Sequence, residues 1–489
     1  MITFLICLTL LIVAYFTYGR YLERVCDINE KNPVPADTCY DGVDYMRLPR
    51  WRIFLIQLLN IAGLGPIFGA VLGAAYGPVA FLWITLGGIF MGAMHDMISG
   101  VISLKRNGMS LPEIIGELLG RNVKLFMRLF SVLLMILVGA VFLSQPTALI
   151  VRMIDAPALD GIAFGGYSWL TLIVLGVILI YYILATMLPI DKIIGKIYPL
   201  FGLALLIMAI GILCVLLIQS DRYTIPELTS FENMIADAKN FPIFPMLFTT
   251  IACGAISGFH ATQSPLMARC MGNERQCRSI FYGAMISESI IALIWAAIAM
   301  AFWGGVEGLN GAIAAYKDAS ILVDMIAQET LGGVLATCVV IGVIACAITS
   351  GDTAFRSARL IVADFMGIEQ KSIAKRVMVC IPIFALGLFI IFALPFQTMW
   401  SYFAWCNQTL AAITLWAITA YLAEKQKPII ISLLPAMFMT YICASYIFIS
   451  PLMFGMENRT VAYLLGGAVT LVILVAMIFK LRKDAKSIA

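Results

Sequence analysis

Asn60–Pro66, which reads NIAGLGP, interrupts an apolar segment that runs from Arg52 to about Tyr76. The segment is long enough to cross a bilayer as a helix, but its centre holds an amide, two glycines and a proline. Proline removes a backbone donor, and glycine lowers the cost of leaving the helical conformation. Backbone groups freed at membrane depth are tolerated only where they are buried in protein or line a cavity. The stretch therefore predicts either a broken helix that offers backbone groups to a substrate or ion, or a kinked helix that packs closely through small residues.

A second interrupted segment favours the broken helix. Phe241–Met267 contains no Lys, Arg, Asp or Glu, and its central stretch Gly254–Pro265 reads GAISGFHATQSP. A pair of Gly/Pro-interrupted segments in corresponding halves of a chain is the best sequence indication of a transporter binding site. We therefore expect both breaks to contribute substrate-binding groups. The candidates are Asn60, Gly63, Gly65, Ser257, Gly258, His260, Thr262 and Gln263.

The composition is that of a polytopic membrane protein. Of 489 residues, 62% are hydrophobic and 12% are charged, which is outside the range of soluble domains. An apolar run of about 20 residues is the length of one membrane helix. The chain therefore predicts an all-α fold of about 13 transmembrane helices, at residues 2–19, 53–75, 78–104, 125–151, 168–188, 194–219, 242–268, 279–304, 331–351, 377–396, 398–423, 428–448 and 460–479. Met1–Tyr18 lacks a basic region and a small-residue cleavage site, so we expect a retained helix rather than a signal peptide.

The lysines and arginines predict the orientation. If the N-terminus is outside and the spans alternate, 27 of the 32 basic residues fall on the inner side and five on the outer side. Cytoplasmic loops carry such an excess of Lys and Arg. We therefore expect the N-terminus outside and the C-terminus in the cytoplasm.

The same topology relates the two interrupted segments. They lie five spans apart and enter the membrane from opposite sides, so spans 2–6 and 7–11 can form an inverted repeat. The predicted organisation is an additional helix and cytoplasmic loop in 1–50, repeat 1 in 51–220 with broken helix 53–75, repeat 2 in 241–425 with broken helix 242–268, and two additional helices with a cytoplasmic tail in 426–489.

Ionisable side chains within spans are energetically costly and usually mark function. Asp96, Glu288 and the only two histidines of the chain, His95 and His260, lie within predicted spans. Because histidine titrates near neutral pH, we predict that Asp96, Glu288 and His260 carry a coupling proton. The structural alternatives are that Asp96 binds a freed backbone N–H and that His260 binds a freed carbonyl. Neighbouring helical residues point about 100° apart, so we do not expect His95 and Asp96 to pair.

A further polar cluster lies at the end of the ninth span. Oxygen atoms of Thr349, Ser350, Asp352 and Thr353 could bind Na⁺ together with carbonyls of the first break, because hard cations take oxygen ligands. Asp352 and Arg356 are four residues apart, which is the spacing of a local helical ion pair. The stretch therefore predicts either a cation site or an inner gate, with a plain surface ion pair as the alternative.

The chain carries no motif of an enzyme. Zinc-protease, nucleotide-binding and nucleophile motifs are absent from the sequence. None of the 12 cysteines lies in a predicted outer loop, and no pair has zinc-ligand spacing, so we expect neither disulfides nor a metal site. We also expect no cofactor and no nucleic-acid partner; the partners are a small-molecule substrate and the lipid bilayer.

Several of these stretches together resemble the carbon starvation protein CstA family, over about residues 50–425. The resemblance lies in Asn60–Ile67, the helix with His95 and Asp96, Lys105–Gly108, Ala252–His260, Thr349–Ala354 and Tyr402–Gln408. It implies a secondary transporter of the amino acid–polyamine–cation superfamily, with a five-plus-five inverted repeat and discontinuous first and sixth helices. Those helices would be spans 2 and 7 here.

The resemblance also implies a function. The family is associated with uptake of peptides and of pyruvate during nutrient limitation, with proton coupling. We therefore expect a secondary active transporter in the bacterial inner membrane that imports a small carboxylate-bearing nutrient in response to carbon starvation. The alternatives are a sodium-coupled symporter of an amino acid or other small organic acid, a channel, and a membrane nutrient sensor. The tail Lys480–Ala489 is too short for the output domain of a sensor.

Overall fold

Long apolar helices make up nearly all of the structure, as the hydrophobic composition requires. The computed structural model describes residues 1–154, 156–159, 161–187, 194–370 and 372–488. Within these ranges the only strands are β1 (Ile162–Phe164) and β2 (Tyr167–Ser168), which pair antiparallel. The predicted all-α class is confirmed.

The helices follow the predicted spans closely. The first half of the chain contains α1 (Ile2–Phe16), α2 (Tyr18–Val25), α3 (Pro35–Thr38), α4 (Arg50–Ile61), a π-helical turn (Gly65–Gly69), α5 (Ala70–Gly73), a 3₁₀ turn (Ala74–Tyr76), α6 (Val79–Leu82), a π-helix (Trp83–Gly92), α7 (Ala93–Lys105), α8 (Leu111–Leu119), α9 (Arg121–Met153), a 3₁₀ turn (Pro157–Leu159), α10 (Trp169–Met187) and α11 (Ile194–Ile218). The second half contains a π-helical turn (Ile243–Leu247), α12 (Phe248–Thr250), α13 (Gly258–Ala268), a 3₁₀ turn (Glu274–Gln276), a π-helical turn (Arg278–Tyr282), α14 (Gly283–Phe302), α15 (Val306–Tyr316), α16 (Ala319–Leu331), α17 (Gly333–Met366), α18 (Ile373–Ala393), α19 (Phe396–Glu424), α20 (Ile430–Ile449) and α21 (Arg459–Ile488).

Length and hydropathy identify most of these as membrane spans. Among the described residues, 10 helices are long and apolar enough to cross a membrane, or up to 11 with the bent pair Arg50–Ile61 and Gly65–Tyr76. The two other predicted spans correspond to the second interrupted segment, which is divided into two short helices, and to α19, which carries polar side chains in its middle.

One predicted boundary was wrong. The ninth span was expected to end at residue 351, yet α17 continues to Met366. The prediction ended the span where charged side chains begin. Those side chains, Asp352, Arg356 and Arg359, are buried against other helices rather than exposed to water, so the helix has no reason to end there.

Burial separates central helices from peripheral ones. The most apolar windows of Glu274–Phe302 and Val339–Met366 are 83% and 89% buried, whereas that of Arg459–Ala485 is only 22% buried. The exposed apolar side chains of α21 fit a lipid environment, because contact of apolar surface with water is unfavourable.

Loops of the same predicted face contact each other, as expected when successive spans cross the membrane in alternating directions. On the predicted inner face, the Leu48 N–H donates to the Cys270 carbonyl (3.1 Å). On the predicted outer face, the Asn310 amide donates to the Met234 carbonyl (3.1 Å). Each loop therefore meets loops of its own predicted side, while the assignment of one face to the cytoplasm remains a prediction.

Candidate functional site

The first break lies between α4 and the turn at Gly65, where the helix axis bends by 56°. Two carbonyls at the end of α4 are bound by side chains of α17. The Ser350 hydroxyl donates to the Leu59 carbonyl (2.8 Å), and the Cys346 thiol donates to the Ala62 carbonyl. The break is thus held open by a helix nearly 300 residues away in sequence, as buried backbone acceptors require.

The second break separates α12 from α13 and is fixed by α19. The Asn407 side-chain oxygen accepts from the Phe259 N–H (2.7 Å) and from the Ser257 hydroxyl (3.0 Å). The Asn407 amide donates to the Cys253 sulfur (3.6 Å). Asn407 therefore caps the first turn of α13 from another helix, a role usually taken by a residue of the same helix.

The two breaks touch each other through a glycine. A Cβ atom at Gly65 would overlap the Cβ and Sγ atoms of Cys253, and both residues are buried. At Gly63, a Cβ atom would lie 2.6 Å from the Phe142 ring and 3.1 Å from the Ser350 hydroxyl. These glycines therefore permit the close approach of neighbouring elements at the centre of the protein.

The other substrate-binding candidates lie on both sides of this contact. Asn60 is fully buried, and among the described residues neither of its side-chain polar atoms has a hydrogen-bond partner; the same holds for Gln57, one turn earlier. Such unpaired amides are costly unless a ligand or water binds them. Gly258 packs against the backbone of α19. The Thr262 hydroxyl donates to its own helix at the Phe259 carbonyl (2.6 Å).

Gln263 faces the inner half of the bundle. Its amide donates to the Ser357 hydroxyl of α17 (3.2 Å) and to the Thr262 hydroxyl (2.9 Å). The predicted substrate-binding residues thus divide into a central group at the breaks and an inner pair, and their contact with substrate remains a prediction.

The three predicted proton carriers lie in one buried chain that also includes His95. The His260 Nε2 atom lies 3.4 Å from Glu288 Oε2, and its Nδ1 atom lies 2.9 Å from Asp96 Oδ2. The other Asp96 oxygen lies 2.8 Å from His95 Nδ1. All four side chains have no exposed surface. The chain connects α14, α13 and α7 directly beside the second break.

The expectation that His95 and Asp96 would not pair was wrong. Their Cα–Cβ bonds do diverge on α7, but Asp96 Oδ1 still reaches His95 Nδ1. The angle of about 100° between neighbouring residues describes their Cα–Cβ bonds. The ends of two long side chains can still meet when their rotamers turn them towards each other. The structural alternatives, in which Asp96 binds a freed backbone N–H and His260 binds a freed carbonyl, do not describe the contacts seen. Each side chain instead contacts other ionisable side chains.

The charges of this buried chain do not balance without protons. In the described part of the chain, neither Asp96 nor Glu288 is ion-paired with a lysine or arginine. With both carboxylates ionised and one imidazole protonated, the group carries a net negative charge; one further proton neutralises it. Burying a net charge in a low-dielectric interior is costly. The number of protons that the group binds therefore depends on whether water reaches it.

The predicted cation-site residues separate into two sets. Ser350 lies at the first break, and the Thr353 hydroxyl donates to the Thr349 carbonyl (3.2 Å). The Asp352 carboxylate instead accepts a hydrogen bond from the Tyr198 hydroxyl of α11. Of the three hydroxyls, only that of Ser350 contacts a carbonyl of the first break; those of Thr349 and Thr353 donate to carbonyls of α17 itself, and Asp352 is bound to a different helix.

The predicted local ion pair between Asp352 and Arg356 does not form. Arg356 Nη1 lies 3.4 Å from Asp44 Oδ1, and Arg359 Nη2 lies 3.6 Å from Asp44 Oδ2. Asp44 belongs to the loop before α4, and all three side chains are almost fully buried. Burial raises the pKa of Asp44, but the Arg359 and Arg356 guanidinium groups outweigh it and hold the pKa below its usual range. This ion-pair cluster lies on the predicted inner side.

A cavity of about 580 Å³ opens on the predicted outer side. It lies between the outer halves of both broken helices, with Phe68 and Thr250, and is bordered by Trp400 of α19. The Phe68 and Trp400 rings lie 6.3 Å apart, and Trp400 lies 5.5 Å from Phe403. Aromatic rings therefore separate this cavity from the buried centre.

Sequence reasoning missed several residues of this region. Cys253, Asn407, Tyr198 and Asp44 make decisive contacts. Asn407 was visible as an amide within an apolar span, which is a usable signal. Asp44 offered none, because it lies in a loop with other charged residues and its partners follow more than 300 positions later.

Comparison with known families and proteins gives a consistent result. A family profile described as carbon starvation protein CstA matches residues 1–158 and 163–319. An uncharacterized membrane protein of Haemophilus influenzae is 45% identical over 64% of this chain and 95% of its own length. In Escherichia coli K12, the pyruvate/proton symporter BtsT is 27% identical over 58% of this chain and 46% of its own. The peptide transporter CstA of that organism is 29% identical over 58% and 47%. The matches thus span less than half of the two E. coli proteins.

Solved structures are similar in fold. The structure of MhsT in complex with L-phenylalanine has a TM-score of 0.59 at 14% identity, over 88% of this chain and 99% of its own. A manganese transporter of Eremococcus coleocola has a TM-score of 0.52 at 11% identity, over 91% and 99%. These similarities confirm the predicted polytopic membrane fold.

Proposed function

Because the chain belongs to the carbon starvation protein CstA family, we propose that it is a secondary active transporter in the bacterial inner membrane. It imports a small carboxylate-bearing nutrient, a peptide or pyruvate, during carbon starvation. Import is driven by protons that move down their gradient with the substrate. The names of its relatives support both substrate classes, and the chain's own residues support the coupling ion.

One observation carries the coupling proposal: Glu288, His260, Asp96 and His95 form a continuous buried chain beside the second break. Protons entering this chain neutralise buried carboxylates, and protons leaving it restore the charge. Since His260 is part of α13, its charge state acts directly on one half of a broken helix. Movement of that half is how broken-helix transporters alternate their access.

The substrate is expected to enter through the outer cavity and bind at the breaks. Helix N-termini present free N–H groups and a positive dipole end, which favour a carboxylate. The turn at Gly65 begins one such half-helix, and α13 begins the other at Gly258, where Asn407 already accepts from the Phe259 N–H. The unpaired Asn60 amide supplies further hydrogen bonds. A peptide C-terminus and pyruvate share the carboxylate that these groups would recognise.

Sodium coupling is the second candidate, and the Ser350 contact favours it. The Ser350 hydroxyl lies 2.8 Å from the Leu59 carbonyl, with Thr349 and Thr353 on the same helix. Hydroxyl and carbonyl oxygens are ligands for a hard cation. If sodium is the coupling ion, Ser350→Ala should raise the sodium concentration needed for half-maximal uptake at least about tenfold. If protons are, the sodium dependence should be absent in wild type and variant.

The deciding experiment is uptake into proteoliposomes of purified protein. Labelled pyruvate or a labelled dipeptide is offered with an inward proton gradient, with an inward sodium gradient, and with neither. We expect a proton gradient alone to drive accumulation of one substrate above its external concentration. Accumulation with sodium only would transfer the coupling to the Ser350 cluster. Equilibration without accumulation under either gradient would contradict active transport.

A further inference from the structure

Three side chains that ligate transition metals converge beside the second break. Cys253 lies in the break, His260 on α13 and Glu288 on α14, and one ligand atom of each lies within 4.8 Å of the other two. All three are buried. Ligand atoms in a tetrahedral zinc site are about 3.4–3.6 Å apart, given metal–ligand bonds of about 2.0–2.3 Å. Binding an ion would therefore draw these atoms closer together than the 4.8 Å limit within which they now lie.

The atoms that face each other here lack hydrogen-bond partners. Within the described part of the chain, His260 Nε2 and both Glu288 oxygens make no hydrogen bond. Their nearest ionic contact is the 3.4 Å approach of His260 Nε2 to Glu288 Oε2. Fully buried polar atoms without partners are rare and point to a missing ligand, water or ion.

Neighbouring side chains contact His260 and Cys253 in the way that outer residues usually contact metal ligands. Asp96 lies 2.9 Å from His260 Nδ1, so it directs the other nitrogen of the ring towards Glu288 and Cys253. A carboxylate on the far nitrogen is the usual partner of a metal-bound histidine. The Asn407 amide donates to the Cys253 sulfur (3.6 Å), which stabilises the thiolate that a metal requires.

We propose that Cys253, His260 and Glu288 form a binding site for a divalent cation of the zinc class. A thiolate, an imidazole and a carboxylate favour Zn²⁺ and Co²⁺ over Mg²⁺ or Ca²⁺, which take oxygen ligands. Binding releases the Cys253 thiol proton and any proton on His260 Nε2, and no electron is transferred. The ion and the protons therefore compete for the same atoms.

This site departs from the sequence expectation of no metal site. That expectation rested on the spacing of cysteine pairs, which detects sites built from adjacent ligands. Here one cysteine meets a histidine and a glutamate from two other helical segments, so no local spacing could reveal it.

Cobalt binding to purified protein tests the proposal. Co²⁺ serves as the probe, loaded both by prolonged incubation of metal-free protein and by growth in cobalt-supplemented medium, so that burial of the site cannot hide binding. We expect one cobalt per chain with a thiolate-to-cobalt charge-transfer band, displaced by Zn²⁺. Binding should weaken about tenfold per pH unit for each proton released as the pH falls.

Matched variants identify the ligands. Cys253→Ser should abolish the charge-transfer band, Glu288→Gln should reduce the affinity, and Asp96→Asn should weaken binding about 10–100-fold through the orientation of His260. The control is Cys443→Ser, which removes a buried thiol of α20 outside the cluster and should leave the band intact. A wild type without the band after both loadings, or a band that survives Cys253→Ser, would overturn the site.

The result is independent of the proposed transport function. Neither a gradient nor a substrate enters the binding measurement. Absence of cobalt binding would leave proton-driven uptake standing, and failure of uptake would leave the metal site standing.

Discussion

His260 is the residue at which the chemistry of this protein converges. Each nitrogen of its imidazole faces a carboxylate, Asp96 at 2.9 Å and Glu288 at 3.4 Å. A histidine between two carboxylates can hold one proton and share it in either direction. The two distances show that Asp96 is the closer partner of His260.

Replacing Glu288 should uncouple transport from the proton gradient. Glu288→Gln keeps the size of the side chain but fixes it in a neutral state. An inward gradient of about two pH units can drive about 100-fold accumulation when one proton accompanies each substrate. The variant should reduce this to equilibration while still exchanging labelled for unlabelled substrate.

The control for this variant is Glu329→Gln, an exposed carboxylate of α16 that pairs with Arg222. It should accumulate substrate as the wild type does. Concentrative uptake by Glu288→Gln equal to that of this control would remove Glu288 from the coupling mechanism.

The members of the buried chain could be predicted from sequence, but their arrangement could not. Asp96, His260 and Glu288 stand out because ionisable groups are costly in a membrane span. Their separation in sequence gives no information on distance, and the pairing of His95 with Asp96 depends on rotamers. Cys253 gave no signal, since a cysteine in an apolar segment is common.

At the scale of the elements, each break is bound by a different helix. The break of the first segment is bound by Ser350 and Cys346 of α17, and that of the second by Asn407 of α19. Glycine and proline in the sequence located the first break, but the predicted second interruption was too long, because Gly258–Pro265 belongs to α13 with Pro265 inside the helix. The groups that satisfy each break lie on helices far along the chain, so only the structure identifies them.

Gly65 should be sensitive to the smallest added side chain. In Gly65→Ala, the new methyl group would overlap the Cys253 side chain, so one of the two breaks must move. Overpacking of this kind costs about 1–3 kcal/mol. We expect a lower melting temperature of the detergent-solubilised protein and a reduced rate of uptake.

Gly176→Ala provides the comparison, because Gly176 lies within α10 and an added Cβ there meets nothing within 4 Å. Alanine in an open helical position should be neutral or stabilise by up to about 1 kcal/mol. A melting temperature for Gly65→Ala as high as that of Gly176→Ala would show that the two breaks are not in tight contact.

At the scale of the whole molecule, an open cavity and a buried ion-pair cluster lie on opposite predicted sides. The cavity of about 580 Å³ lies on the predicted outer side, while Asp44, Arg356 and Arg359 are buried together on the predicted inner side. Transporters that alternate access must break such a closure to release substrate. A cavity on one predicted side and a buried ion-pair cluster on the other are the arrangement expected of a transporter that is open to one side of the membrane.

Removing the charge of Asp44 should open the inner side. Breaking a buried ion pair costs about 3–5 kcal/mol because the partner charges remain without compensation, and the loss falls on the closed state alone. Asp44→Asn should therefore increase alkylation of Cys270, a buried thiol that donates to the Asp44 carbonyl oxygen, and should slow accumulation. Asp37→Asn is the matched control on the nearby helix α3, since Asp37 forms an exposed pair with Arg47, and such surface pairs contribute little to stability. The pH dependence of this effect has a definite sign. The pKa of the Asp44 carboxyl is held below its usual range, so its charge stabilises the closed side at any pH above the usual carboxyl range. The stabilisation is lost only as the pH falls below that range. Cys270 protection in the wild type, taken as its labelling rate relative to that of the unfolded chain at the same pH, should thus be constant from about pH 5 to 8. Relative protection that is lost within this interval, or equal labelling of the two variants, would assign the closure to other residues.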